Sequence, residues 1–372
     1  MDIFYFATGF ILILTGLADL YFSILHYEGY GALSRSLQRG VWQFFRLASR
    51  FVPASMRSYV LSQGAPFMII CTLVFWIGLE ISGYTLIYLA GIDRGNFSFN
   101  HRDPFTFQDA LYFSSITLPT LGFGDIVPIS TFYRMAAASE SFIGFAIMTL
   151  SLSFIINIYW VIQQFRTLAS SLYHQISPGE DIWLIIKRHW LHSTFQPDNA
   201  YFRDLHHRLL EWFENLHQFP IAYYFYSPRT FLSIPYAFKL IGELIAALRF
   251  GFPPGHPSNT NPDIMSLTEA YMAICKEILR MYSINIKPKI DFISSEKTVF
   301  IYQAEKRKQF ELLFQKMSTL EKYPAENPEA HEKRFQQWLN FSYFTEQFVQ
   351  LTAKDHGYEP SEIKLQLYHV KP

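Results

Sequence analysis

Cysteine is nearly missing from this chain: Cys71 and Cys275 are the two among 372 residues. Cys71 falls in a hydrophobic run and Cys275 in a charged helical stretch, so a disulfide framework is excluded. No Cys/His spacing suits zinc, and neither a G-x-x-x-x-G-K-[ST] phosphate loop nor a G-x-S-x-G nucleophile elbow occurs. None of this recommends an enzyme. A surplus of charge is missing too: Lys plus Arg equals Asp plus Glu at 31 each, so no global field selects nucleic acid or an acidic substrate. Charged residues are 17% of the chain, against 50% hydrophobic and 18% aromatic, a balance that fits one membrane unit followed by one soluble unit.

Charge is scarcest in three runs. Residues 3–25 are almost uninterrupted apolar sequence, with Asp19 their acidic exception. As a helix at ~1.5 Å per residue they reach about 34 Å, enough to cross a bilayer core. A secretory leader needs a positive start and a small-residue cleavage site, whereas this run begins Met1-Asp2, so it reads as a retained membrane helix. Residues 67–89 and 135–160 are the other two spans.

Between these two lies the least ordinary stretch of the chain, Thr117-Leu118-Pro119-Thr120-Leu121-Gly122-Phe123-Gly124-Asp125. Non-helical backbone survives inside a bilayer only where protein buries it or where it lines a water-filled path. Gly122 and Gly124 tolerate positive φ, so successive carbonyls can turn toward one axis, as they cannot in a strand. A column of carbonyls with the Thr120 hydroxyl can replace the water around a dehydrated cation. One chain supplies one wall of such a path, and four are needed.

Thr-Leu-Gly-Phe-Gly-Asp, residues 120–125, resembles the Thr-Val-Gly-Tyr-Gly-Asp selectivity filter of potassium channels, and the resemblance covers residues 67–160. It implies an all-α membrane protein with a pore-loop tetrameric channel fold, passing potassium passively. It implies K+ coordination at Thr120, Leu121, Gly122, Phe123 and Gly124, an outer mouth shaped by Asp125, and a hinge in the inner helix at Gly144, nineteen residues beyond Asp125. Potassium is the permeant ion, with no cofactor. Three departures stand out: Pro119 replaces a second Thr, Phe123 replaces the Tyr, and Ile116 stands where some bacterial members place a Glu. That leaves Tyr112 as the partner for Asp125 and packing as the main brace. A channel of the same build that passes sodium and potassium alike remains the nearest alternative, and a signalling or binding protein with a vestigial pore the next.

Around this stretch the sequence gives further expectations. Thr106-Phe107-Gln108-Asp109 reads as a capping box opening a pore helix over 107–118, preceded by a polar turret at 93–104. Phe145, Met148, Thr149, Leu152, Ile156 and Trp160 fall on one face of the third span, with Ile156 and Trp160 candidates for a hydrophobic constriction. Glu80 and Glu140 are intramembrane carboxylates, each a candidate for gating or for a neutral acid bonded behind the pore helix at Ser114, Ser115 or Thr117.

Arg35, Arg39, Arg46, Arg50 and Arg57 lie between Tyr30 and Pro66 without an acidic residue among them. Positive-inside bias places that loop in the cytoplasm, so the N-terminus is outside, the C-terminus is cytoplasmic and residues 120–124 lie toward the outer side. Their spacing of 4, 7, 4 and 7 gathers them on one helical face, either a lipid-sensing slide helix touching anionic headgroups or a passive anchor.

After Gln163 charged residues become frequent, and helices are expected at 181–195, 199–218, 230–250, 263–283, 295–322 and 327–356. The domains are thus 1–26, 27–65, 66–162 and a helical cytoplasmic regulatory domain at 163–372. The run 231–250 is apolar enough to raise a fourth span, but Pro235, Lys239 and Glu243 argue against it. His189, His192, His206, His207 and His217 are dense but lack ligand spacing, so they read as packed or solvated. The expected partners are three further copies of the chain, membrane lipid and a gating ligand or protein, with no nucleic acid.

Overall fold

The computed structural model describes residues 2–26, 31–91, 95–99, 106–176, 182–191, 196–253, 255–284, 296–320, 327–359 and 361–363. Contacts divide the chain into two units, Met1–Ile162 with Asn215–Phe225, and Gln163–Glu214 with Tyr226–Pro372. The first is built from α1 (Asp2–Leu20), a π-helical turn (Tyr21–Leu25), α2 (Ala32–Ala48), α3 (Ala54–Leu89), β1 (Phe97–Phe99), α4 (Phe107–Thr117), β2 (Ile126–Pro128) and α5 (Thr131–Tyr173), whose last turns belong to the second unit. Among the described residues three helices are long and apolar enough to cross a membrane, Ile3–Leu25, Ala54–Leu89 and Thr131–Tyr173. The chain is an all-α membrane protein.

α1 lies against α3 at glycine notches. A Cβ on Gly9 would stand 2.5 Å from the Gly83 carbonyl, and one on Gly83 would stand 2.6 Å from the Ile13 side chain. Without a hydrophobic drive between helices in lipid, such small residues are what let two backbones approach. Gly83→Val therefore unseats α1. Overpacking of this kind costs about 1–3 kcal/mol, and the expected result is a lower melting temperature in detergent with faster amide exchange along α1.

The second span begins at Ala54, thirteen residues before the expected 67. Pro66 sits inside α3 and leaves the Ser62 carbonyl without its usual amide, a loss that membrane helices tolerate when nearby groups compensate. The arginine stripe is corrected as well. Arg35, Arg39 and Arg46 lie on α2, but Arg50 falls in the turn after it and Arg57 in the first turn of α3. Pro53 marks the break: it disfavours the helical conformation at the residue before it, and the chain turns there between α2 and α3. Leu33, Phe44, Leu47 and Phe51 are exposed on α2 and its turn, with the α2 arginines half-buried.

α4 is held from behind by an aromatic cluster. Phe113 meets Tyr88 at 4.9 Å and Phe97 at 5.7 Å, and Phe97 meets Tyr133 at 5.1 Å. Phe97 reaches this position because β1 pairs antiparallel with β2, Phe97 opposite Pro128 and Phe99 opposite Ile126. The expected turret thus contains a strand at its described part; residues 92–94 and 100–105 lie outside the described residues.

The second unit holds α6 (Trp183–Arg188), the short pair β3 (Trp190–Leu191) and β4 (Gln196–Pro197), most of α7 (Asn199–Gln218), α8 (Ile234–Phe250), α9 (Pro262–Met281), α10 (Glu296–Ser318) and α11 (Pro328–His356). α8 explains the apolar run at 231–250. It is 17 residues long and buried nearly all round, with Tyr271 of α9 and Phe348 of α11 both ringed against its Phe238. A helix apolar on every side is a core helix when its length falls short of a bilayer.

Candidate functional site

The site grows from the C-terminal end of α4. Its start is fixed by Thr106, whose hydroxyl accepts from the Asp109 amide at 3.4 Å while the Asp109 carboxylate accepts from the Thr106 amide at 2.8 Å, a complete capping box. At its end the last carbonyls lack helical partners, and the following ribbon supplies them. The Ile116 carbonyl accepts from the amides of Leu121, at 2.9 Å, and Gly122, at 3.2 Å. The Thr117 carbonyl accepts from the Thr120 amide at 2.9 Å and the Ser141 hydroxyl at 3.0 Å.

These bonds orient the carbonyls. In a trans peptide the C=O points opposite to the N–H of the next residue. With the Leu121 and Gly122 amides both turned back to Ile116, the carbonyls of Thr120 and Leu121 both point away from α4. An extended strand would alternate them, so the backbone must leave the strand region. It does so with φ of 62° at Thr120, 52° at Gly122 and 80° at Gly124. For a β-branched residue such as Thr120 this is a true outlier, held only because its surroundings over-determine it. Residues 119–124 are exposed in the single chain, Leu121 at 62% and Phe123 at 69%. Asp125 is half-buried within hydrogen-bonding reach of the Tyr112 hydroxyl, as expected.

The two carboxylates separate in role. Glu140 of α5 is fully buried and accepts from Ser114 of α4 and Tyr88 of α3, both at 2.5 Å, so one carboxyl ties three helices together behind the ribbon. Ser115 and Thr117, the other expected donors, bond carbonyls of their own helix instead, Leu111 and Phe113, each at 2.7 Å. Glu80 is also fully buried but does not join them: neither oxygen has a hydrogen-bond partner among the described residues, and it faces Gly16 of α1. Gly144 lies within unbroken helix, and its missing side chain has a local reason. A Cβ there would stand 1.9 Å from the Leu118 carbonyl, so α5 seats directly on the end of α4. Phe145, Met148, Thr149, Leu152, Ile156 and Trp160 form one uncovered face of α5.

Sequence reasoning passed over Asp19, Tyr88, Phe97 and Ser141. Asp19 had a visible signal, a single acid within an apolar span, which is by default a functional-site hypothesis. No metal-like group of His, Cys, Asp and Glu occurs among the described residues. His192 lies outside them, while His189 stacks on Tyr201 at 3.7 Å and bonds Gln175. Burial pushes the His189 and His206 rings below the usual imidazole range, which keeps both neutral at pH 7.

The family model described as "Ion channel" matches residues 68–161, from α3 through most of α5. A curated relative, "Uncharacterized membrane protein YdjJ" of Bacillus subtilis (strain 168), is 25% identical over 285 residues, covering 76% of this chain and 80% of that protein. A match of that length exceeds the channel segment and takes in much of the rest of the chain. No solved structure matches. Two membrane helices flanking a short helix and a carbonyl-turned ribbon are what residues 68–161 consist of, and this part of the chain is a pore-loop ion-channel domain.

Proposed function

We propose that four copies of this chain surround a common axis and conduct potassium passively through ribbons 120–124. The observation that carries this reading is the same-sided pair of carbonyls at Thr120 and Leu121 on a ribbon left open in the single chain. Carbonyl dipoles aimed at one line replace the hydration of a cation, and one ribbon can surround no ion alone. The uncovered apolar face of α5 is compatible with the same assembly, since it leaves room for a second copy or a cavity beside it. Asp125 shapes the outer mouth, Ile156 and Trp160 form the constriction, and Gly144 lets α5 swing as well as seat on α4. The arginines of α2 set the N-terminus outside and the C-terminal unit in the cytoplasm. Lipid at α2, or a ligand on the C-terminal unit, opens the path.

Reversal potentials test selectivity. Purified protein in liposomes or planar bilayers under asymmetric sodium and potassium is expected to reverse near the potassium equilibrium potential. A value near zero replaces this reading with the unselective channel, which the exposed Phe123, with no hydroxyl to tie the ribbon, would explain. Absence of any current sinks both.

A further inference from the structure

The N-terminal end of α2 is capped from another helix. Gly31 at its N-cap has no side chain to accept from the first amides, and Asp19 of α1 supplies the acceptor instead. Its carboxylate takes the Leu33 amide at 2.9 Å and the Ser34 amide at 3.2 Å, where the partial positive charge of the helix end favours an anion. The same Asp19 oxygen that holds Ser34 accepts the indole N–H of Trp76 on α3 at 2.9 Å. Trp76 is fully buried and meets Phe154 of α5 edge-on at 5.6 Å. Phe154 is two residues before Ile156 on the opposite side of α5, so the contact reaches the helix that carries the candidate constriction.

Two side contacts support the junction. Ser23 and Ser34 hydroxyls bond at 2.9 Å, and Gln38 donates to Thr72 of α3 at 3.3 Å. Beside them a cavity of about 20 Å³ is bounded by Ser34, Gln38 and Phe154. That is room for about one water, and Phe154 itself is buried between Trp76 and Phe219.

We infer that Asp19 is a positioning residue for conduction: a latch that passes the placement of α2 on the membrane surface through Trp76 to Phe154, and so sets how often the path is open. With the latch closed, α2, α3 and α5 move as one. With it released, α2 tilts on its apolar ridge without carrying Phe154 along. The inference rests on the conducting, lipid-facing reading above, and its failure is distinguishable from the failure of that reading.

The test uses the full-length protein in bilayers of phosphatidylcholine with phosphatidylglycerol. Asp19→Ala removes the acceptor, and Trp76→Phe removes the indole donor while keeping a ring against Phe154. Each is expected to change open probability in the same direction by about fivefold or more, with single-channel current and reversal potential unchanged. The double variant is expected to match the single ones, since both break one linkage. Unchanged open probability, or effects that multiply, overturns the latch. Amide exchange in liposomes decides independently of current. Asp19→Ala is expected to speed exchange at residues 31–40 and also at 150–160, and faster exchange confined to 31–40 overturns the proposal even if the wild-type protein carries no current.

Discussion

Gly122→Asp is expected to abolish potassium flux from liposomes while leaving a folded, membrane-inserted, helical protein. Gly122 has φ of 52°, and a Cβ there meets nothing within 4 Å in its own chain, so the fold has room for the change. The ribbon does not. The change adds little backbone strain, since Asp, like Asn, tolerates a left-handed position. It puts a carboxylate at the point where the Thr120 and Leu121 carbonyls are aimed. Four copies would bring four such groups to one axis. Gly95→Asn is the control: φ is 62° and the surroundings are equally open, but the residue precedes β1, far in sequence from the ribbon. It should conduct normally, because Asn tolerates that conformation. Circular dichroism and flotation with liposomes check the fold of both variants. Flux through Gly122→Asp at the wild-type rate would remove the ribbon from the ion path.

Much of the architecture was legible because it is written in local chemistry. Asn261-Pro262 and Asn327-Pro328 start α9 and α11, the Asn261 side chain accepting from the Asp263 amide at 3.0 Å and that of Asn327 from the Glu329 amide at 3.1 Å. Gly357 ends α11 with φ of 86°. Thr106 and Asp109 close a capping box at the start of α4. All of these depend on residues within four positions of one another.

What escaped depends on pairs far apart in sequence. Asp19 and Trp76 are 57 residues apart, Tyr88 and Glu140 are 52 apart, and no pattern in either neighbourhood announces the partner. Glu80 and Glu140 look alike in sequence, each an acid in an apolar helix, yet one faces two hydroxyls and the other a glycine on α1. The expected start of the second span at 67 fell short of the real one, since α3 runs through Pro66 where nearby groups can compensate for the missing amide.

That contrast between the two acids yields the second large effect. Replacing Glu140 by Leu removes the acceptor of two buried hydroxyls, and a buried donor left unsatisfied costs about 1–3 kcal/mol. Ser114 can fall back on the Ile81 carbonyl, which it already approaches at 3.1 Å. Tyr88 is fully buried among Phe97, Phe113 and Tyr133, and among the described residues its hydroxyl meets no acceptor but Glu140. The loss should loosen α4 from α3 and α5 together, so Glu140→Leu is expected to lower the melting temperature sharply and to reduce flux through disorder of the ribbon. Glu140→Gln keeps an acceptor for one hydroxyl and should fall between. Glu80→Met runs the other way. With no hydrogen bond to lose and the cost of burying a carboxyl group removed, a volume-conserving apolar side chain should leave stability unchanged or raise it, so long as it clears Gly16. Thermal melting of the three variants in one detergent orders them: Glu80→Met at or above wild type, Glu140→Gln below, Glu140→Leu lowest. If Glu80→Met instead melts as low as Glu140→Leu, then Glu80 holds a partner in the assembled protein that a single chain lacks, and the two carboxylates share one network across copies.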